Sequence, residues 1–232
     1  MPRLEAIGFD ADDTLWHHER FFEQTTARYA ELMAPYADSK ALIDHLHATE
    51  KRNVKRYGFG VKGFMLSMVE TAIEITSGNV PANVIKDVLA AGGDMLVHPV
   101  EPFPGVEATL SALTADYTLI LITRGDLFDQ ERKLEASGLS KYFDAIEIVS
   151  DKTPPVYRRI FSRHGEGASR AMMIGNSMRA DVVPAIEAGA WGVHVPSDHV
   201  WALDLHDDPA DTSRFRRFGK LPEILPLIAE IG

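Results

Sequence analysis

Five short stretches of the chain, LEAIGFD, YTLILIT, AIEIVS, AMMIG and WGVHVP, are nearly continuous in apolar residues and often β-branched. A strand with one wet face alternates apolar and polar side chains. Runs apolar at nearly every position belong to strands covered on both faces, as in a parallel sheet. Between them lie GVEATLSALTAD, LFDQERKLEASG, TPPVYRRIFSRHG and RADVVPAIEAG, which carry helical periodicity. Two of these end on Gly138 and Gly189, where a helix commonly stops in the left-handed conformation. Strands alternating with helices predict a doubly wound, Rossmann-like α/β fold built on a parallel sheet.

One region breaks that alternation. From His17 to Val97 the chain shows only 3.6-residue periodicity, in four segments with no strand signal between them. The proline-rich HPVEPFPG then marks the return to strand–helix alternation. The expected organisation is an α/β core from residues 1–16 and 98–232, with a four-helix insert over 17–97. After Pro196 the chain reads as irregular, and LPEILPLIAEIG as a closing helix.

Composition narrows the function classes. The chain has 232 residues, 45% hydrophobic and 25% charged, with a formal net charge of -10 and no cysteine. An acidic surface argues against nucleic acid as a partner. No apolar run approaches the ~20 residues of a membrane helix, so no membrane partner is expected. The opening MPRLEAIGFD enters a strand without the layout of a secretory signal, and the expected compartment is the cytoplasm. Without cysteine there are no disulfides, thiolate metal sites or cysteine nucleophiles. Monomer and dimer both stay open.

In open parallel sheets, ligands bind beyond the carboxyl ends of the strands, and four of the five strands end on polar groups. The first ends at Asp10-Ala11-Asp12-Asp13-Thr14 and the second at Thr123-Arg124-Gly125-Asp126. The third runs into Ser150-Asp151-Lys152 and the fourth into Gly175-Asn176-Ser177, with Asp181 following. Three carboxylates within four residues repel unless something positive sits among them. Either they are solvated or they hold a cation and do chemistry.

Taken together, the DADDT, LITRG, SDKTPP and GNSMRAD segments, in that order at strand ends, resemble the four motifs of the haloacid dehalogenase superfamily in its phosphatase branch. The helical insert falls between the first two motifs, where one subtype of that family carries its cap. The resemblance implies a phosphomonoester hydrolase acting on a small phosphorylated metabolite, with Mg2+ as cofactor. Asp10 would be the nucleophile. Asp12 would be the general acid and base, pointing to the same side as Asp10 if the strand pleat continues. Thr123, the Gly125 amide and Lys152 would hold the phosphoryl oxygens. Asp10, Asp12, Asn176 and Asp181 would hold or brace the metal. Asp13 reads instead as a cap or supporting acid.

Two positions depart from the family pattern. Asn176 stands where Asp is commoner, which leaves one charge fewer on the metal. Arg124 follows Thr123 where a smaller residue is usual; it reaches a substrate anion or pairs with Asp126, with the second favoured. In the insert, Lys51, Arg52, Lys55, Arg56 and Lys62 form a basic stretch around Gly58 and Gly60. A solvated helix face is the favoured reading over a substrate-reaching loop. A phosphomutase, a phosphonate hydrolase and a non-catalytic binding module are the competing functions. A dehalogenase is disfavoured, because it would need neither Asp12 nor a metal.

Overall fold

The computed structural model describes residues 3–199, 201, 204 and 206–231. It divides into two compact units. One comprises Met1–Glu19, Val100–Arg124 and Gln130–Gly232; the other comprises Arg20–Pro99 and Gly125–Asp129.

The first unit is built on a six-stranded sheet in the order β3-β2-β1-β4-β5-β6. The strands are β1 (Ala6–Phe9), β2 (Thr118–Arg124), β3 (Ala145–Val149), β4 (Ala171–Gly175), β5 (Trp191–His194) and β6 (Phe215–Arg217). Every pairing is parallel. The sequence predicts the first five. It reads β6 as irregular, because a three-residue edge strand with two exposed arginines leaves no apolar run. Part of the same tail, at positions 200, 202, 203 and 205, lies outside the described residues.

The sheet is covered on both faces, which explains the unbroken apolar runs. Ile7 and Phe9 share one face with Leu121, Ile174 and Val193, packed on α5 (Val106–Leu113) and on Ile228 of the last helix, α9 (Leu225–Ile231). Ala6 shares the other face with Ile122 and Met173, packed on Tyr157 and Phe161 of α7 (Pro154–His164) and Ala185 of α8 (Val183–Ala188). On that face Gly8 must lack a side chain. A Cβ there would stand 2.7 Å from Ile122 Cδ1 and 3.1 Å from Met173 Sδ.

The second unit holds α1 (Glu19–Met33), α2 (Ser39–Tyr57), α3 (Val61–Ile75) and α4 (Ala82–Leu96). Its core is Tyr29, Met33, Leu42, Leu46, Phe64, Met68 and Val88. Asp38 caps α2 by accepting the amides of Lys40 and Ala41. The basic stretch is largely committed to partners or to solvent. Arg52 donates to Glu70 at 2.9 Å and to Glu74 at 2.8 Å, both on α3. Lys62 donates to Asp126 at 2.9 Å. Lys51, Lys55 and Arg56 are exposed. No helix among the described residues is long and apolar enough to cross a membrane.

Candidate active site

The strands β1, β2 and β4 end at one edge of the sheet, and the polar groups of the sequence gather there. The ladder continues one residue past β1, where the Asp10 amide donates to Ile174 O at 2.9 Å. The Asp10 carboxylate is buried. Its Oδ2 accepts the Thr14 hydroxyl at 3.0 Å, and its Oδ1 accepts the Lys152 ammonium. Lys152 also donates to Asp181 Oδ1 at 2.6 Å. One ammonium therefore bridges two carboxylates, all three side chains being buried.

Local backbone geometry delivers Asp181 to this point. After β4 the chain makes a single π-helical turn, Met178–Val182, before α8. Such widened turns insert one extra residue per turn and recur at functional sites. Ser177 caps the turn by accepting the Ala180 amide at 3.0 Å, and Asp181 Oδ2 accepts the Ser177 amide at 2.9 Å. Tyr157 donates to Ala180 O at 2.9 Å from α7. The Asp181 side chain folds back over Gly175, where a Cβ would fall 2.2 Å from Asp181 Oδ2. The glycine of the GNSMRAD segment is required by this approach.

Asn176 is pinned between elements. Its amide donates to Thr14 Oγ1 at 3.0 Å, and its Oδ1 lies 3.3 Å from the same hydroxyl. Thr14 thus ties the first loop to the fourth, a role absent from the sequence reading.

Asp12 has partners that the sequence does not announce. Regular pairing stops after Asp10, and a turn follows in which the amides of Thr14 and Leu15 both donate to Ala11 O. The pleat does not continue, and Asp12 has a partner set of its own. Lys133 Nζ lies 2.7 Å from both of its oxygens, Gln130 Nε2 lies 2.8 Å from one, and the Trp16 indole N–H donates at 2.8 Å. Gln130 and Lys133 lie on α6 (Leu127–Ser137). Sequence reasoning missed both, although polar residues in phase with buried Leu134 were a signal. Burial works to raise the Asp12 carboxyl's pKa, but the charges of His18 and Lys133 and the hydrogen bonds from Lys133 and Gln130 hold it well below the usual carboxylate range. Asp13 does what the sequence suggests: at φ 59° it accepts the His18 amide at 3.0 Å and the Glu19 amide at 2.8 Å, where α1 begins.

Thr123 is buried at the end of β2, and Gly125 follows at φ 143°, a conformation that favours glycine. Arg124 does not take the partner favoured from sequence. It donates to Asp204 at 2.5 Å, while Asp126 accepts Lys62 and the Asp129 amide. Asp204 lies in the irregular tail, where no local pattern points to it.

Burial first, then the charge of Asp181, pushes the Asp10 carboxyl up to about 7 against the pull of Lys152. Burial also disfavours the Lys152 ammonium, yet Asp10 and Asp181 hold its pKa above the ordinary value. Two buried carboxylates on one ammonium leave negative charge that invites a further cation. Among the described residues no three His, Cys, Asp or Glu side chains form a ready metal cage. The oxygens that do gather, from Asp10, Asp181 and the Asn176 amide, are hard donors. They fit a small cation that keeps several waters, such as Mg2+.

Residues 4–189 match the model of the haloacid dehalogenase-like hydrolases. Glyceraldehyde 3-phosphate phosphatase of Methanothermobacter thermautotrophicus is 25% identical over 208 residues, 84% of this chain and 87% of the relative. Pyrimidine 5'-nucleotidase YjjG of Escherichia coli is 30% identical over 95 residues, 38% of this chain and 42% of the relative. Among solved structures, a haloacid dehalogenase-like family hydrolase from Xanthomonas campestris superposes with a TM-score of 0.88 at 39% identity, covering 99% of this chain and 92% of that one.

Proposed function

The chain belongs to the haloacid dehalogenase-like hydrolases, and on that premise we propose that it is a Mg2+-dependent phosphomonoesterase of small phosphorylated metabolites, working through an aspartyl-phosphate on Asp10. The observation that carries this reading is the Asp10–Lys152–Asp181 bridge at the carboxyl edge of the sheet. It presents a buried carboxylate oxygen beside a fixed ammonium, the pair that attack on a phosphoryl group requires. The names of the relatives, a phosphatase and a 5'-nucleotidase, point the same way.

In this reading an Asp10 oxygen attacks phosphorus, and the bond from phosphorus to the ester oxygen breaks. Thr123, the Gly125 amide, Arg124 and Lys152 bind the phosphoryl oxygens. Asp10, the Asp12 backbone carbonyl, Asn176 and Asp181 would hold Mg2+, which when bound would supply positive charge to the phosphoryl group. Asp12 gives the departing oxygen a proton. It then takes one from the water that attacks phosphorus, which returns Asp10 and releases phosphate. The clamp of Lys133 and Gln130 keeps Asp12 ionised but lowers its basicity, so taking a proton from water in the second half also requires the carboxylate to loosen from it. Proton donation in the first half requires the carboxylate to turn out of the clamp. Residues 17–97 are the cap that selects the ester, and the cytoplasm is the compartment of action.

The test is hydrolysis of an aryl phosphate and a panel of phosphorylated metabolites by wild type and Asp10→Asn, with Mg2+ or with EDTA. Turnover confined to the wild type with Mg2+ supports the reading. Appreciable turnover in EDTA, or by Asp10→Asn, sinks it.

A further inference from the structure

His194 ends β5 beside the loop that carries Asn176, and its two ring nitrogens face opposite kinds of partner. Nε2 lies 2.9 Å from Asn176 O, and Nδ1 lies 3.0 Å from Arg217 Nε. A carbonyl can only accept and a guanidinium N–H can only donate. The ring is therefore neutral, with its proton on Nε2 pointing at the Asn176 carbonyl. Arg217, on β6, is held in turn by Asp208 at 2.5 Å. The backbone also locks β5 to this corner: the Val195 amide donates to Gly175 O at 2.9 Å and the Phe218 amide to His194 O at 3.0 Å.

Asn176 is thus gripped from both sides. Thr14 takes its N–H and His194 donates to its C=O. With its main chain fixed at both ends, the side chain has little freedom beyond its own two torsions, and its Oδ1 stays within 3.3 Å of the hydroxyl that bonds Asp10. A neutral amide binds a cation more weakly than the carboxylate usual at this position, so its placement matters more.

We propose that His194, backed by Arg217 and Asp208, is a positioning residue that holds Asn176 in place to bind the cation. This rests on the Mg2+ reading above. It also gives the short edge strand β6 a function, since β6 supplies the arginine that fixes the histidine tautomer.

The experiment compares His194→Phe, His194→Gln and Arg217→Gln with wild type in the full chain. Phe keeps the ring shape without the donor. Gln restores a donor at about the position of Nε2. Two readouts are taken without substrate: hydrogen exchange at the Asn176 and Ser177 amides, and the rise in Tm with added Mg2+. We expect faster exchange and a Mg2+ midpoint raised about 10–100-fold in His194→Phe, near-wild-type behaviour in His194→Gln, and a smaller loss in Arg217→Gln. Arg217 is largely exposed, so its variant also serves if His194→Phe does not fold. Unchanged exchange in both His194→Phe and Arg217→Gln, or equal losses in the Phe and Gln variants, overturns the proposal. Faster exchange in a wild-type background that shows no Mg2+ response supports the positioning of the loop and defeats the metal reading instead.

Discussion

Lys133 Nζ stands 2.7 Å from both carboxylate oxygens of Asp12, and both side chains are largely out of water. Removing one partner of a buried pair leaves a charge uncompensated, which costs about 3–5 kcal/mol. Lys133→Met should lose stability at pH 7, by less than that because Asp12 keeps Gln130, the Trp16 indole and the charge of His18, as measured by urea unfolding. The sign with pH follows from the direction of the shift. A carboxyl held below its unfolded value contributes stability above the unfolded pKa of about 4 and loses it as pH falls through the folded one. The gap between wild type and Lys133→Met should therefore narrow in acid. A gap that is absent at neutral pH, or that widens as pH falls, contradicts the pairing.

The same carboxylate is proposed to serve a leaving group. Positioned proton transfer contributes about 10²–10⁴-fold, so Asp12→Asn should slow alkyl phosphates by at least that range. An aryl phosphate, whose leaving group needs less protonation, should lose less where formation of the phosphoenzyme limits the rate. Single-turnover rates on the two ester types decide the matter, and equal losses count against the role.

Gly175→Ala places a methyl in the space of the Asp181 carboxylate, 2.2 Å from its Oδ2. Something must move, and Asp181 is the group in contact. The variant should lose about 1–3 kcal/mol from overpacking, together with most of its turnover, because Lys152 then loses one of its two carboxylates. Retention of wild-type kcat by a folded Gly175→Ala would show that Asp181 is not needed where it stands.

Glu50, partly buried on α2, has its carboxyl pushed up to about 7 by burial. A carboxyl raised in the folded state favours folding only while protonated. Glu50 therefore costs stability as pH rises from its unfolded value of about 4.3 through 7. Glu50→Gln should be close to neutral at pH 4 and stabilising at pH 8. The gain is at most about 3.5 kcal/mol for a shift of this size, and less because the group keeps some contact with water. Thermal melts at the two pH values test it, and a variant less stable than wild type at pH 8 reverses the sign.

Much of this site is legible in the sequence because a parallel sheet writes its strands as unbroken apolar runs and its ligands lie just past their ends. That logic leads to Asp10, Lys152, Asn176 and Asp181, which the structure gathers around Thr14 and the Lys152 ammonium, and to Thr123 at the end of β2. It fails where contacts depend on another element's phase. Lys133 and Gln130 meet Asp12 from a helix more than a hundred residues away in sequence, and Arg124 meets Asp204 from an irregular tail. His194 hides in WGVHVP as one polar letter in an apolar strand, and its importance depends on β6, which is too short and too charged to read as a strand. Asp12 lies in the turn that takes over one residue after Phe9, so its partners cannot be read from the alternation of the strand.

In the proposed reaction Asp10 carries the phosphoryl group between the two half-reactions. The direct measurement is acid quenching during turnover of a phosphate-labelled ester with Mg2+, followed by peptide mapping. A hydroxylamine-labile phosphoryl group should appear on the peptide containing Asp10. It should form as fast as the alcohol leaves and be absent from Asp10→Asn. Turnover with no label on Asp10 when phosphoenzyme breakdown is rate-limiting, or label on another side chain, would contradict it.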